Sequence, residues 1–136
     1  MQTFELDPRL AADTLPIGDL PLSRALLMND CRYPWVILVP RRPGKVELID
    51  LDAQERTQLW QESLLVCEVL ARHFQGDKLN TGALGNVVSQ LHLHHVLRRR
   101  GDPAWPGPVW GHSPAQPYAP EQGEEVLLRL RELLLA

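Results

Sequence analysis

Gln90, His92 and His94 occupy alternate positions of the stretch Gln90-Leu91-His92-Leu93-His94-His95-Val96, and Arg98 continues the same parity. On an extended backbone successive side chains point to opposite faces, so these four polar groups share one face while Leu91, Leu93, His95 and Leu97 share the other. Imidazole exchanges a proton near neutral pH and, when neutral, can attack an electrophile or bind a metal. Two imidazoles, an amide and a guanidinium on one open face have the composition of a site. Two other readings of the same residues stay open. A solvated strand face would also be polar, and His92 and His94 at i and i+2 could chelate a divalent ion if His112 or a carboxylate supplied a third ligand. His95 faces the wrong way to join them, and no third ligand is evident in the sequence.

The elements that must position these groups are legible in outline. Short apolar runs bounded by turn formers, Leu15 to Asp19, Arg24 to Met28 and Trp35 to Val39, read as antiparallel strands, with Asn29 to Pro34 as a hairpin connection and Pro40 as a stop. Asp52 and Glu55 form a capping box ahead of Leu59, Trp60, Leu64, Cys67, Leu70 and Phe74. That spacing predicts an amphipathic helix over residues 53–75, ended by Gly76. Lys78 to Ala83 and Val87 to Arg98 read as two further strands joined at the Gly85-Asn86 turn. Residues 101–120 hold six prolines and three glycines, a stiff extended loop. Residues 121–136 are helical, with Val126, Leu127, Leu130, Leu133 and Leu134 on one face. The fold class is α+β: about five antiparallel strands, one long helix on a face and a C-terminal helix.

A chain of 136 residues supports one core, so residues 1–136 are read as a single domain. Hydrophobic residues at 44% and charged residues at 23% are globular proportions, and a formal charge of -3 gives no broad electrostatic footprint for nucleic acid. No basic segment followed by an apolar run opens the chain, and the apolar runs are too short to cross a bilayer, so a cytoplasmic location and no membrane partner are expected. Cys31 and Cys67 are expected to be thiols.

The motif Gln-Leu-His-Leu-His-His-Val closely resembles the His-x-His-x-His-x-x signature, with x apolar, of the histidine triad (HIT) superfamily of nucleotide hydrolases and transferases. The order of elements is similar too: the Pro-terminated WVILVP strand, the capped helix, an asparagine ahead of a glycine turn, then the histidine strand. The resemblance covers most of the chain, and Asp102-Pro-Ala-Trp-Pro-Gly-Pro-Val-Trp-Gly looks like the tail of a bacterial subgroup.

The resemblance implies attack on the α-phosphate of a substituted nucleotide, of dinucleoside polyphosphate or phosphoramidate type, by the middle triad residue, His92. A nucleotidyl-histidine would form and water would release the nucleoside monophosphate, with no cofactor. His94 would bond phosphate oxygens or help protonate the leaving group. Gln90 stands at the first triad position and breaks the pattern: glutamine bonds but does not titrate, so it either orients the site or merely bonds a neighbouring strand or loop. Val87 stands where several relatives place a serine beside the leaving group, which leaves Asn86 or His94 for that task and favours leaving groups that are already acidic. Asp30, with Asn29 before it, sits where relatives place a carboxylate on the ribose hydroxyls, an Asx turn being the other reading. Asn80 matches an asparagine that approaches the catalytic strand, and Arg98 could meet phosphate charge. Trp105 and Trp110 either wall a base or pack the loop onto the sheet. A homodimer is implied, with Leu59, Trp60 and the C-terminal helix as apolar surface for it. A nucleotide-binding or regulatory protein with weak catalysis is the alternative that Gln90 and Val87 motivate.

Overall fold

The computed structural model describes residues 2–135. Its centre is a five-stranded antiparallel sheet in the order β1-β2-β3-β5-β4. The strands are β1 (Thr14–Asp19), β2 (Ser23–Met28), β3 (Trp35–Pro40), β4 (Lys78–Gly82) and β5 (Leu93–Arg98). The Asn29 to Pro34 step does join β2 to β3, which pair with Leu26 opposite Ile37. β5 lies between β3 and β4, with His94 opposite Ile37 on one side and Gly82 on the other.

Alternation divides the sheet into two chemically distinct faces. Ala25, Leu27, Val36, Leu38 and Leu97 face one core with Leu59, Val66, Val69 and Leu70 of the long helix α2 (Ala53–His73) and Leu127, Leu130 and Leu134 of α3 (Pro120–Leu134). Leu26, Trp35, Ile37, Val39 and Val96 face a second core closed by Leu10, Tyr33, Ala104 and Val109. Leu10 belongs to a short N-terminal helix, α1 (Pro8–Asp13), which the sequence reading did not anticipate. One face of the sheet is therefore covered by the helices α2 and α3, and the other by the short α1 and by loops that leave room beside His92 and His94.

Several expected boundaries move. The Asp52–Glu55 capping box forms as expected, with Asp52 Oδ1 accepting from Glu55 N at 2.8 Å and Glu55 Oε1 from Asp52 N at 2.9 Å. The helix stops at His73, and its cap residue Phe74 is extended, so Gly76 is not the terminator. Gly76 is required for a different reason: a Cβ there would lie 2.3 Å from Leu97 Cγ. The apolar spacing also misplaced the inner face of α2. Trp60 and Leu64 are exposed, while Glu62 and Ser63 are buried. Both buried polar groups are matched. Glu62 accepts from the backbone N–H groups of Leu22 at 2.8 Å and Ser23 at 3.0 Å, and Ser63 Oγ bonds His95 Nε2 at 2.8 Å. Since Leu59 is buried, it offers no surface to a second copy.

The histidine strand is shorter than residues 87–98. Its ladder begins at Leu93, and residues 83–92 form a ten-residue connection from β4 in place of a tight turn at Gly85-Asn86. Gly85 does adopt the left-handed backbone, with φ of 73°. Among the described residues, no helix is long and apolar enough to cross a membrane.

Candidate functional site

A cavity of about 520 Å³ opens on the loop-covered face of the sheet, with His92 and His94 at its base. Trp35 and Ile37 of β3, Thr14 and Met28 from neighbouring strands, and Leu10 of α1 form its apolar floor. Asn86, Val87 and Val88 border it on one side, and Val109, Trp110 and Ser113 on another. Face parity survives the shortening of the strand. His95 points to the helical side, where it is fully buried between Ser63 and the Val36 carbonyl, and it takes no part in the cavity.

Hydrogen bonds set the two cavity-facing imidazoles in opposite tautomers. His92 Nδ1 lies 2.6 Å from the backbone oxygen of Gln90. A carbonyl only accepts, so Nδ1 carries the proton and Nε2 keeps its lone pair. His94 Nδ1 lies 3.0 Å from Trp35 Nε1. An indole N–H only donates, so here Nδ1 is the acceptor and the proton of the neutral ring sits on Nε2. The rings stand edge to face with centroids 4.9 Å apart. One imidazole thus offers a nucleophilic nitrogen, and its neighbour offers an N–H donor beside it.

Burial holds His94 neutral. Desolvation first, then the neighbouring His92 and His95, pushes its pKa down from 6.5 to about 3, and burial pushes His95 down to about 4. Between about pH 6.5 and 4 both rings therefore bind a proton in the unfolded chain and not in the folded one. Their contribution to stability is complete above the unfolded value of 6.5 and is lost as pH falls from there toward the folded values. Thermal melts should accordingly show a Tm that is level above about pH 7 and falls between about pH 6.5 and 4; a Tm flat across that range would contradict the burial of neutral imidazoles.

Trp35 is the member that sequence reasoning missed. Its parity on β3 matched that of Ile37, which pairs with His94, but nothing in the sequence marked the indole as a donor to a histidine. Trp35→Phe keeps an aromatic ring and removes the N–H. The expected outcome is a fall in kcat of about tenfold to a hundredfold with little change in melting temperature, since the His94 tautomer is then no longer fixed. Equal kcat in steady-state assays of the two proteins would sink that role.

Gln90 does not join the cavity. Its Nε2 donates to Glu5 O at 2.8 Å and its Oε1 accepts from Asp7 N at 2.8 Å, so the amide pins the N-terminal segment. Only its backbone oxygen addresses His92. The structure brings Asp30, Asn86 and Val87 to the same cavity as the histidines, and leaves Asn29, Asn80 and Arg98 outside it. Asp30 is buried, its carboxylate held by Arg32 through Nε at 2.9 Å and Nη2 at 2.8 Å. Asn29 Oδ1 accepts from Tyr118 N at 2.9 Å. Arg98, expected as a phosphate group partner, is 1% exposed and forms a two-point pair with Asp102, with Nη1 donating to Asn80 Oδ1 at 2.9 Å. It holds the Pro/Trp loop, whose Trp105 lies over its guanidinium, and its charge is spent there. The two indoles divide the roles left open for them: Trp105 packs the loop, while Trp110 stands edge-on to His94 with centroids 5.5 Å apart and walls the cavity.

Among the described residues, no three His, Cys, Asp or Glu side chains are grouped to hold a metal ion. His112 is exposed and bonds Ser113 Oγ at 2.9 Å.

The comparisons agree with this architecture. The family model of the HIT domain matches residues 9–101. A histidine triad protein of Marinobacter aquaeolei VT8 superposes with a TM-score of 0.96 at 50% identity over 98% of each chain. One of Bradyrhizobium japonicum gives 0.94 at 45% identity over 98% of this chain and 99% of that one. One of Sinorhizobium meliloti 1021 gives 0.94 at 46% identity over 97% and 98%. Among curated proteins there is no match. With the domain matched over residues 9–101 and the whole architecture shared with a histidine triad protein 50% identical to it, the chain belongs to the HIT domain family.

Proposed function

We propose that the protein is a nucleotide phosphohydrolase or nucleotidyl transferase that acts on a nucleotide with a substituted α-phosphate, through a covalent intermediate on His92. The observation that carries this reading is the opposed protonation of His92 and His94 at the base of one cavity. His92 Nε2 forms a bond to the α-phosphorus, and the phosphorus–leaving-group bond breaks with its electron pair departing on the leaving atom. Water then attacks the phosphorus, the P–N bond breaks, and Nε2 regains its lone pair. Overall the hydroxyl of water ends on phosphorus and its proton on the leaving group. The Gln90 carbonyl on Nδ1–H stabilises the positive ring of the intermediate, and His94 Nε2–H donates to a phosphate oxygen as charge develops there. Asp30 on the cavity wall takes the ribose hydroxyls; each oxygen retains acceptor capacity beyond its bonds to Arg32.

A screen of adenosine and guanosine polyphosphates, phosphoramidates and sulfates against the native protein and His92→Ala tests the reading. Turnover that depends on His92 supports it, and turnover that survives the substitution contradicts it. The second reading, a binder with weak catalysis, draws on the apolar Val87 and on a Gln90 amide that points away from the cavity. Tight AMP binding by calorimetry without turnover of any substrate would favour it. A homodimer, with the exposed Trp60 and Leu64 of α2 as contact surface, belongs to the same proposal; sedimentation equilibrium gives its mass directly.

A further inference from the structure

A run of hydrogen bonds leads from His92 to the N-terminal helix. The Gln90 carbonyl lies 2.6 Å from His92 Nδ1, the Gln90 side chain accepts from Asp7 N at 2.8 Å and donates to Glu5 O at 2.8 Å, and Asp7 Oδ1 accepts from Arg9 N at 2.8 Å. Asp7 caps α1, and Arg9 lies in its first turn with a side chain that lines the cavity of His92 and His94. We infer that the Arg9 guanidinium binds the phosphate oxygens of the nucleotide, and that Gln90, through Asp7, holds Arg9 in place for it. The inference rests on the reading of this cavity as a nucleotide site.

The charge around the cavity supports it. Arg9 is the one lysine or arginine among the residues that line this space. Arg98, whose strand parity fitted the part, is spent on Asp102 and Asn80, and burial keeps His94 neutral. Arg32 is paired with Asp30 and cancels its charge. Without Arg9 a bound phosphate would therefore meet hydrogen-bond donors but no full positive charge. A guanidinium supplies that charge and two parallel N–H groups matched to two phosphate oxygens.

The guanidinium is also uncommitted. Among the described residues it makes no hydrogen bond or ion pair, although Asp13 stands at i+4 on the same helix, where opposite charges ordinarily meet. A cation in the first turn and an anion at the last position oppose the helix dipole, so the stability of α1 accounts for neither charge. Their placement separates them. α1 begins at Asp7, tied to the residue two before His92, and runs directly into Thr14 of β1, three strands from β5. Arg9 is thus at the end of α1 held to the histidine strand, and Asp13 at the end held to β1.

Calorimetry with AMP and adenosine reads the contact, since the two ligands differ only in the phosphate. Arg9 is exposed, so its replacement leaves the core untouched. The native protein should bind AMP more tightly than adenosine. Arg9→Gln should weaken AMP by about five- to tenfold and leave adenosine unchanged, and Arg9→Lys should recover part of the loss. Gln90→Leu, which releases Glu5 and Asp7, should shrink the preference for AMP over adenosine by a similar factor, and adding Arg9→Gln to it should shrink that preference no further. If Arg9→Gln weakens both ligands equally, or neither, the phosphate role is overturned. Losses that add in the double variant would overturn the link through Gln90. AMP binding that depends on Arg9, with no turnover that depends on His92, would overturn nucleotidyl transfer and leave Arg9 on the phosphate. A native protein that binds neither ligand would overturn the nucleotide reading itself, and this inference with it.

Discussion

His92→Ala is expected to lower kcat by at least about 10⁴-fold on any substrate the protein turns over, while His92→Asn, closer in size, loses as much. The loss is that large because no neighbouring group can substitute. His94 has its Nδ1 occupied by the Trp35 N–H and its Nε2 protonated, so it has no free lone pair to offer phosphorus. His95 lies on the other face of the sheet, enclosed between Ser63 and Val36. Residual binding should persist, because Asp30, Trp35, Ile37 and Trp110 still form the cavity. The signature is thus a collapse of kcat with a modest change in nucleotide Kd, read by steady-state kinetics beside calorimetry. A loss confined to Kd would assign His92 to binding.

Asp102→Ala should destabilise the fold by about 3–5 kcal/mol, because it leaves the buried Arg98 guanidinium without its partner. Both side chains are 1% exposed, with Nε and Oδ2 at 2.8 Å. The carboxylate does more than neutralise: it accepts from the backbone N–H groups of Arg99, Ala104 and Trp105, and so shapes the start of the loop that ends in Trp110. The Arg98 hydrogen bonds, outweighing burial, hold its pKa below the usual carboxylate value of 3.8, so its contribution is present above that pH and is lost in stronger acid. Urea unfolding should show the loss, and the loosened Trp110 wall should raise KM as well. Replacing both partners, Arg98→Met with Asp102→Leu, should recover much of the stability, since no charge is then left buried alone. If Asp102→Ala unfolds at the native urea midpoint, the pair does not anchor the loop.

How much of this was legible in the sequence follows from which interactions are local. Strand parity separated His92 and His94 from His95, and the Asp52–Glu55 box marked the start of α2, because both depend on residues close together in the chain. The buried face of α2 was misread since Glu62 and Ser63 are polar, and what makes them tolerable inside is bonding to residues 40 and 32 positions away. Arg98 is a different case: its face was read correctly, but Asp102, only four positions along the chain, and Asn80 claim its N–H groups before any phosphate could. Gln90 had the composition of a site residue and spends its amide on Glu5 and Asp7, an N-terminal segment no motif ties to it. Trp35 was legible as an apolar strand residue only. Its donor role exists because the sheet register sets it beside His94.

In the proposed reaction His92 Nε2 becomes covalently linked to the α-phosphorus. The most direct measurement mixes excess protein with a nucleotide labelled at the α-phosphate, quenches within milliseconds, and maps the label by mass spectrometry of peptides spanning residues 87–98. The expected result is a nucleotidyl group on His92 that builds up and decays within one turnover and is missing from His92→Asn. Turnover of the same substrate with no covalent species at any time, or with the label on another residue, would contradict it.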